Sequence, residues 1–205
     1  YREGPDHIYL PEVAFDIEDF LSRVKKLLEK KPFVIAAVSE GIRLEDGRYV
    51  CELTDGVDFV DAFGHKQLTG TANYLARRLS QEIGCKTRSI ELSSLQRAAS
   101  HLASRIDILE AFQVGGAAVK AADEGDTGEM VILKRISDDP YQCTTELRNV
   151  HKVSNVEKTV PREWINKNGT YVTEEFISYV RPLIQGDVSP VMVDGIPRYL
   201  YHKKK

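Results

Sequence analysis

The stretch from Lys31 to Gly41 constrains the fold of this chain more than any other. Pro32 lacks the N–H that a helix interior requires, so a preceding helix must stop there. Phe33 to Val38 is then an unbroken apolar run. It is too short for a typical buried helix and rich in β-branched residues, which predicts a strand covered on both faces. Upstream, Ile17, Phe20, Leu21, Val24, Leu27 and Leu28 recur at helical spacing, with Asp16 placed as N-cap. A helix feeding a buried strand that ends in Ser39-Glu40-Gly41 is the rhythm of an open α/β sheet. Ligands of such sheets sit beyond the carboxyl ends of the strands, which makes Glu40 a candidate contact.

The same periodicity predicts further elements. Arg43 to Phe63, rich in Asp, Gly and Glu, reads as a loop or hairpin excursion. Leu68, Leu75, Leu79 and Ile83 share a helical face that ends at Gly84, and Lys86 to Leu92 reads as a second strand. Gln96–Arg105 and Asp107–Gly125 predict two helices, the second carrying the small residues Gly115, Gly116, Ala117 and Ala118 that permit close packing. Met130–Leu133 predicts a strand, and Thr173 caps a helix bearing Phe176, Ile177, Val180 and Leu183. Asn168-Gly169 reads as a turn.

With 42% hydrophobic and 29% charged residues, the 205-residue chain has the profile of a globular protein. A formal charge of −3 argues against non-specific nucleic-acid binding, which needs a basic surface. No apolar run reaches the roughly 20 residues of a membrane span, so no membrane partner is expected. Lys203–Lys205 reads as a solvated tail. Cys51, Cys85 and Cys143 are odd in number and widely spaced, which favours a reducing, cytoplasmic setting. The chain opens at Tyr1 rather than Met, as a fragment would.

Read from its residues alone, the chain offers little chemistry. It has no glycine-rich phosphate loop, and His7, His65, His101, His151 and His202 do not pair with cysteines at metal-ligand spacing. Ser94 with His101 could serve as nucleophile and base of a hydrolase. Glu40 could accept hydrogen bonds from sugar hydroxyls, and Arg88 and Arg97 could fork onto phosphate oxygens. Ordinary surface ion pairing accounts for the same residues.

A resemblance narrows these alternatives. Pro11 to Asp16 resembles the PEVxFD segment of the 6-phosphofructokinase family, and Val38-Ser39-Glu40-Gly41 resembles its strand-end glutamate motif. Thr87 to Arg97 resembles the block that ends in the family's QR pair. Ala62 to Leu68 and Gln96 to His101 are most similar to the clade containing many pyrophosphate-dependent members, as is the tail around Val160 to Trp164.

The resemblance implies a three-layer α/β/α sandwich with a mostly parallel sheet, in which residues 1–139 form a sugar-phosphate-binding domain and 140–205 an extension packing back on it. It implies transfer of phosphate to the 1-hydroxyl of fructose 6-phosphate in glycolysis, from pyrophosphate or ATP, with magnesium. Glu40 would accept from the sugar hydroxyls, and Arg97 would neutralise the phosphate or position the sugar. Arg88 would reach the substrate of a neighbouring subunit, implying a dimer or tetramer. Ser94, Leu95, Gln96 and Arg97 would line the pocket. Ser94 departs from bacterial ATP-dependent relatives, which carry a histidine there; a serine cannot be a cation, and His101, a helical turn beyond Arg97, is a candidate to compensate. The donor loop, the catalytic TIDxD aspartate and the magnesium-handling carboxylates lie upstream in the family, so no catalytic or metal residue is expected here and the chain alone is expected to be inactive. A regulatory paralogue that binds a sugar phosphate is the alternative.

Overall fold

A computed structural model describes residues 4–54 and 68–198. The chain divides into two compact units. The first comprises residues 1–91 and 159–176, the second residues 92–158 and 177–205.

The first unit opens with a β-α-β arrangement. Strand β1 (His7–Tyr9) pairs in parallel with β2 (Ala36–Val38), and helix α1 (Ile17–Leu28) lies between them in sequence. The Asp16 side chain caps α1 as its position requires, accepting from the N–H groups of Glu18 at 2.8 Å and Asp19 at 3.1 Å. Glu18 and Asp19 occupy the first turn and Lys25 and Lys26 the last, so both ends complement the helix dipole. Phe20, Leu21 and Val24 are buried against Tyr9, Phe15, Ile42, Val50 and Leu75. Tyr9 meets Phe15 and Phe20 edge-on, at ring-centre distances of 5.0 and 5.6 Å.

The run from Phe33 to Val38 corrects the expectation of a strand covered on both faces. Val34, Ala36 and Val38 pack on the core, whereas Phe33 and Ile35 on the alternate face are exposed. The cause is local: among the described residues β2 has one strand partner, β1, and the core lies on one side of the pair.

Helix α2 (Thr71–Ile83) begins after Gly70 and ends at Gly84, both in the left-handed region that glycine adopts without strain. Arg78 on α2 reaches Glu18 on α1 at 2.9 Å. The expected strand over Lys86–Leu92 is absent. Instead the segment runs along α2, with Thr87 Oγ1 donating to the Ala76 carbonyl at 3.0 Å and Ser89 Oγ bonded to Asn73 Oδ1 at 2.6 Å. Hydroxyls on alternate residues find helix partners here, so no strand ladder forms. Of the expected excursion from Arg43 to Phe63, Arg43 and Tyr49 form a bridge and Val50–Leu53 a 3-10 turn. Residues 55–63 lie outside the described residues, as do Gly64 to Gln67 of the block that ends at Leu68, and Lys203–Lys205 with His202.

The later segment of the first unit returns to β1. Ile8 N–H donates to the Thr170 carbonyl at 2.8 Å, and Val160 N–H donates to Glu12 Oε1 at 2.7 Å. Its turn is at Asn168-Gly169 as expected. Gly169 has φ +69°, and a Cβ there would lie 2.7 Å from Val13 Cγ1, so the close approach requires glycine.

The second unit holds α3 (Ser93–Ala98), a 3-10 turn at Ser100–Leu102, and α4 (Arg105–Glu124). The helix expected over Gln96–Arg105 is therefore shorter and starts earlier. Ser104 caps α4 by accepting from Asp107 N–H at 3.1 Å. Strands β3 (Glu129–Asp138) and β4 (Tyr141–Asn149) form an antiparallel hairpin with an irregularity between Arg135 and Ser137. The domain division expected at 139/140 falls at the tip of this hairpin, whose ladder ties both sides into one compact unit. Helix α5 (Glu174–Val180) spans the boundary between the units, and β5 (Met192–Val193) pairs with β6 (Ile196–Pro197).

Candidate functional site

The turn after β2 is positioned by backbone bonds. Ser39 N–H donates to the Tyr9 carbonyl at 3.0 Å, Gly41 N–H to Ser39 Oγ at 3.3 Å, and Ile42 N–H to the Ser39 carbonyl at 3.3 Å. These bonds set Glu40 at the carboxyl end of the parallel pair, beside the start of α2. Thr71, the first residue of α2, is fully buried, and its hydroxyl donates to the Glu40 carbonyl oxygen at 3.3 Å.

Burial raises the Glu40 carboxyl above its ordinary value, and the nearby Glu91 charge adds to that rise; the Thr71 hydroxyl and N–H oppose it by favouring the ionised form. Glu40 Oε2 is buried without a hydrogen-bond partner among the described residues. Cys51, also buried, has its thiol pushed up by burial and then by the Glu40 charge. Glu40, Cys51 and Thr71 thus form one small polar cluster at the edge of an apolar core. Neither Cys51 nor Thr71 stood out in the sequence; a threonine directly after a glycine at a helix start was the available signal.

Arg88 lies in the same unit as Glu40. It is exposed, flanked by Thr87 and Ser89, which bond to α2. Ser94, Leu95, Gln96 and Arg97 belong to the second unit, all on α3 and all exposed, with Arg97 in the last turn. Ser93, which opens α3, has φ +45°, an uncommon conformation for a residue with a side chain. His101 is exposed in the 3-10 turn that follows.

An open hollow of about 400 Å³ lies elsewhere, lined by Phe15 to Glu18 and Leu44 to Asp46. Its carboxylates Asp16, Glu18, Glu45 and Asp46 make it unsuited to an anionic ligand. Among the described residues, no group of three or more His, Cys, Asp or Glu could hold a metal ion, and no helix is long and apolar enough to cross a membrane.

Comparison with known proteins places this geometry. Residues 2–122 match the phosphofructokinase family model. The chain is 40% identical over 196 residues to the pyrophosphate–fructose 6-phosphate 1-phosphotransferase of Halomonas elongata, and 38% identical over 200 residues to that of Xanthomonas campestris. These matches cover 96% and 97% of the chain but 46% and 47% of the relatives, so the chain spans about half their length. Crystal structures of pyrophosphate-dependent phosphofructokinases from Marinobacter aquaeolei and Nitrosospira multiformis align with TM-scores of 0.76 and 0.77 at 32% and 33% identity. They cover 98% and 97% of this chain and 47% and 45% of those chains. The α/β class read from the helix–strand rhythm is therefore the class of its structural neighbours, and this chain belongs to the phosphofructokinase family.

Proposed function

We propose that this chain is the sugar-phosphate-binding half of an enzyme that phosphorylates the 1-hydroxyl of fructose 6-phosphate in glycolysis. Pyrophosphate is the favoured donor over ATP, because the relatives that match nearly the whole chain are named for pyrophosphate. The observation that carries the reading is the Glu40 carboxyl: it stands at the carboxyl end of a parallel strand, with one buried oxygen that has no donor among the described residues. A buried acceptor without a partner carries a desolvation cost of about 1–3 kcal/mol, which a sugar hydroxyl would relieve.

In this reading Glu40 of the first unit accepts from hydroxyls of the sugar, and in the second unit Arg97 neutralises a sugar phosphate, with Ser94, Leu95 and Gln96 beside it as further substrate contacts. Arg88 serves the substrate of a neighbouring subunit, which makes the working enzyme a homo-oligomer in the cytoplasm. Residues 1–139 supply the sugar-phosphate functions and 140–205 support them. Phosphoryl transfer rests on positioning, metal and charge neutralisation. The described residues offer no donor set that fits magnesium. The reading assigns the metal, the phosphoryl donor and the base for the 1-hydroxyl to the part of the relatives that this chain does not span, and it expects no turnover from the chain alone.

Calorimetric titration of the chain with fructose 6-phosphate tests the reading. Glu40→Gln and Arg97→Ala should each weaken binding by about tenfold or more, as loss of a charge-assisted hydrogen bond requires. Unchanged affinity in both variants would reject the assignment.

A further inference from the structure

The segment after Gly84 doubles back along the helix that the glycine ends. No main-chain hydrogen bond holds Lys86 to Glu91 among the described residues, so neither a helix nor a sheet fixes this stretch. Two side-chain bonds do. Thr87 Oγ1 donates to the Ala76 carbonyl at 3.0 Å, and Ser89 Oγ donates to Asn73 Oδ1 at 2.6 Å. Asn73 and Ala76 are neighbours on α2, because residues three apart share a helix face. Thr87 and Ser89 share a face of the extended segment, because side chains there alternate. Arg88 is left on the opposite face. Burial follows the same alternation: Thr87 and Ser89 are half-buried, whereas Lys86, Arg88 and Ile90 are exposed.

From this geometry we infer that Asn73, with Thr87 and Ser89, positions Arg88: the two hydroxyl bonds clip the segment to α2 and fix the main chain from which the guanidinium meets a phosphate. The inference rests on the reading of Arg88 as a contact for the sugar phosphate, while the clip itself rests on the two bonds. An arginine on an unsecured segment loses backbone as well as side-chain freedom when it binds. A main chain that is already fixed removes the backbone share of that cost. The clip therefore acts on affinity through Arg88, without touching the ligand. Its two halves are open to different substitutions. Thr87 donates to a main-chain carbonyl in the interior of α2, so there only the donor can be removed. Asn73 presents its acceptor from an exposed position on the helix, where alanine removes the oxygen and favours the helix.

The test uses Thr87→Val, which keeps the shape and removes the donor, Thr87→Ser, which keeps the donor, and Asn73→Ala. Each is made in the wild-type chain and in an Arg88→Ala chain. The order parameter of the Arg88 amide is measured by NMR relaxation, and fructose 6-phosphate affinity by calorimetry on the same samples. With both bonds removed, the order parameter should fall from about 0.85 to below about 0.6. Thr87→Val and Asn73→Ala should each weaken binding by about threefold to tenfold, and Thr87→Ser should keep the wild-type values. In the Arg88→Ala chain the same substitutions should cost no further affinity, since the contact they serve is gone. If Thr87→Val does not fold, Asn73→Ala carries the comparison from its exposed position. An order parameter unchanged without both bonds, or equal affinity losses with and without Arg88, would overturn the inference and leave the bonds as packing of the segment. Wild-type affinity in Arg88→Ala would overturn it as well, since the clip would have no ligand contact to serve. If the order parameter falls as expected while the wild-type chain binds no fructose 6-phosphate, the clip stands and the sugar-phosphate reading is what fails.

Discussion

The two units of this chain are built on different physics. The first buries a connected apolar core, from Tyr9, Phe15 and Phe20 through Ile42 and Val50 to Leu75, with Ile165 and Val172 buried in its returning segment. In the second unit, Ala121 is the one buried apolar residue among the described residues, while Leu95, Leu102, Phe112, Val119 and Ile184 stand more than two-thirds exposed. Among its tertiary ties are polar and cation–π contacts: Ser104 Oγ donates to the Leu183 carbonyl at 2.6 Å, Tyr141 donates to Glu110, and the Arg135 guanidinium lies over the rings of Tyr141 and Tyr179. A unit with a continuous core carries its stability within itself. One that leaves its large apolar side chains in solvent forgoes about 25 cal/mol for every Å² of apolar surface left uncovered.

The largest expected effect tests this contrast directly. Phe20→Ala should cost about 3–5 kcal/mol, because it deletes a fully buried ring and leaves a cavity. Phe112→Ala should stay within about 0.5 kcal/mol, because that ring is 79% exposed. Trp164, the single tryptophan, lies in the first unit, so its fluorescence in a urea titration reports the core variant, while amide exchange along α4 reports the other. A cost at Phe112 matching that at Phe20 would break the comparison and show that α4 is covered in solution by another chain.

Next in size is Arg135. Its guanidinium carbon lies 4.8 Å from the Tyr141 ring centre and 4.6 Å from that of Tyr179, while Nη1 donates to the Tyr179 carbonyl at 2.6 Å. Arg135→Ala should cost about 2 kcal/mol and loosen the β3–β4 hairpin, read as faster amide exchange at Lys134 and Cys143. Arg135→Lys should recover only part, since an ammonium cannot stack on two rings. A neutral Arg135→Ala would mean that the hairpin ladder alone holds the second unit.

What the sequence revealed divides by element type rather than by unit. Helical periodicity and caps located α1, α2 and α4 in both units, because Asp16, Gly84 and Gly125 are local signals that depend on no distant partner. Strand reading did less well. The alternation over Ser89-Ile90-Glu91-Leu92 looks the same whether the segment pairs with a strand or lies against a helix, and the Thr87 and Ser89 hydroxyls select the helix. Strand β4 was not read at all, since Tyr141 to Asn149 mixes polar and apolar residues on both faces of an exposed hairpin. In the site, Glu40 was legible because the end of a parallel strand is a general ligand position. Thr71 was not, because its partner is 31 residues away and only the tertiary fold brings them together.

The caps give a matched pair of smaller effects, one in each unit. Asp16→Ala and Ser104→Ala each remove an N-cap acceptor and should each cost about 1 kcal/mol. The first should appear in Trp164 fluorescence and the second in exchange at the start of α4. If both probes shift equally with either variant, the two units unfold as one.

The smallest effect is a pH dependence confined to the first unit. His7 is held below its ordinary value of 6.5 mainly by burial, with the Arg23 charge adding to it, against the Asp6 charge and the Thr170 backbone. Its Nε2 is buried without a partner among the described residues. The unfolded chain therefore takes up the proton more readily than the folded one, so the contribution is fully present above pH 6.5 and is lost as pH falls through the lower folded value. Because the imidazole is only partly buried, the loss should stay below about 1 kcal/mol between pH 7 and pH 5. Urea midpoints read by Trp164 should fall over that interval, and His7→Gln should flatten the fall, while α4 exchange in the second unit keeps the same pH profile with and without His7. A fall of equal size in the His7→Gln protein would place the titrating group elsewhere in the first unit. A change in the α4 profile on replacing His7 would show that the two units share their stability despite their different cores.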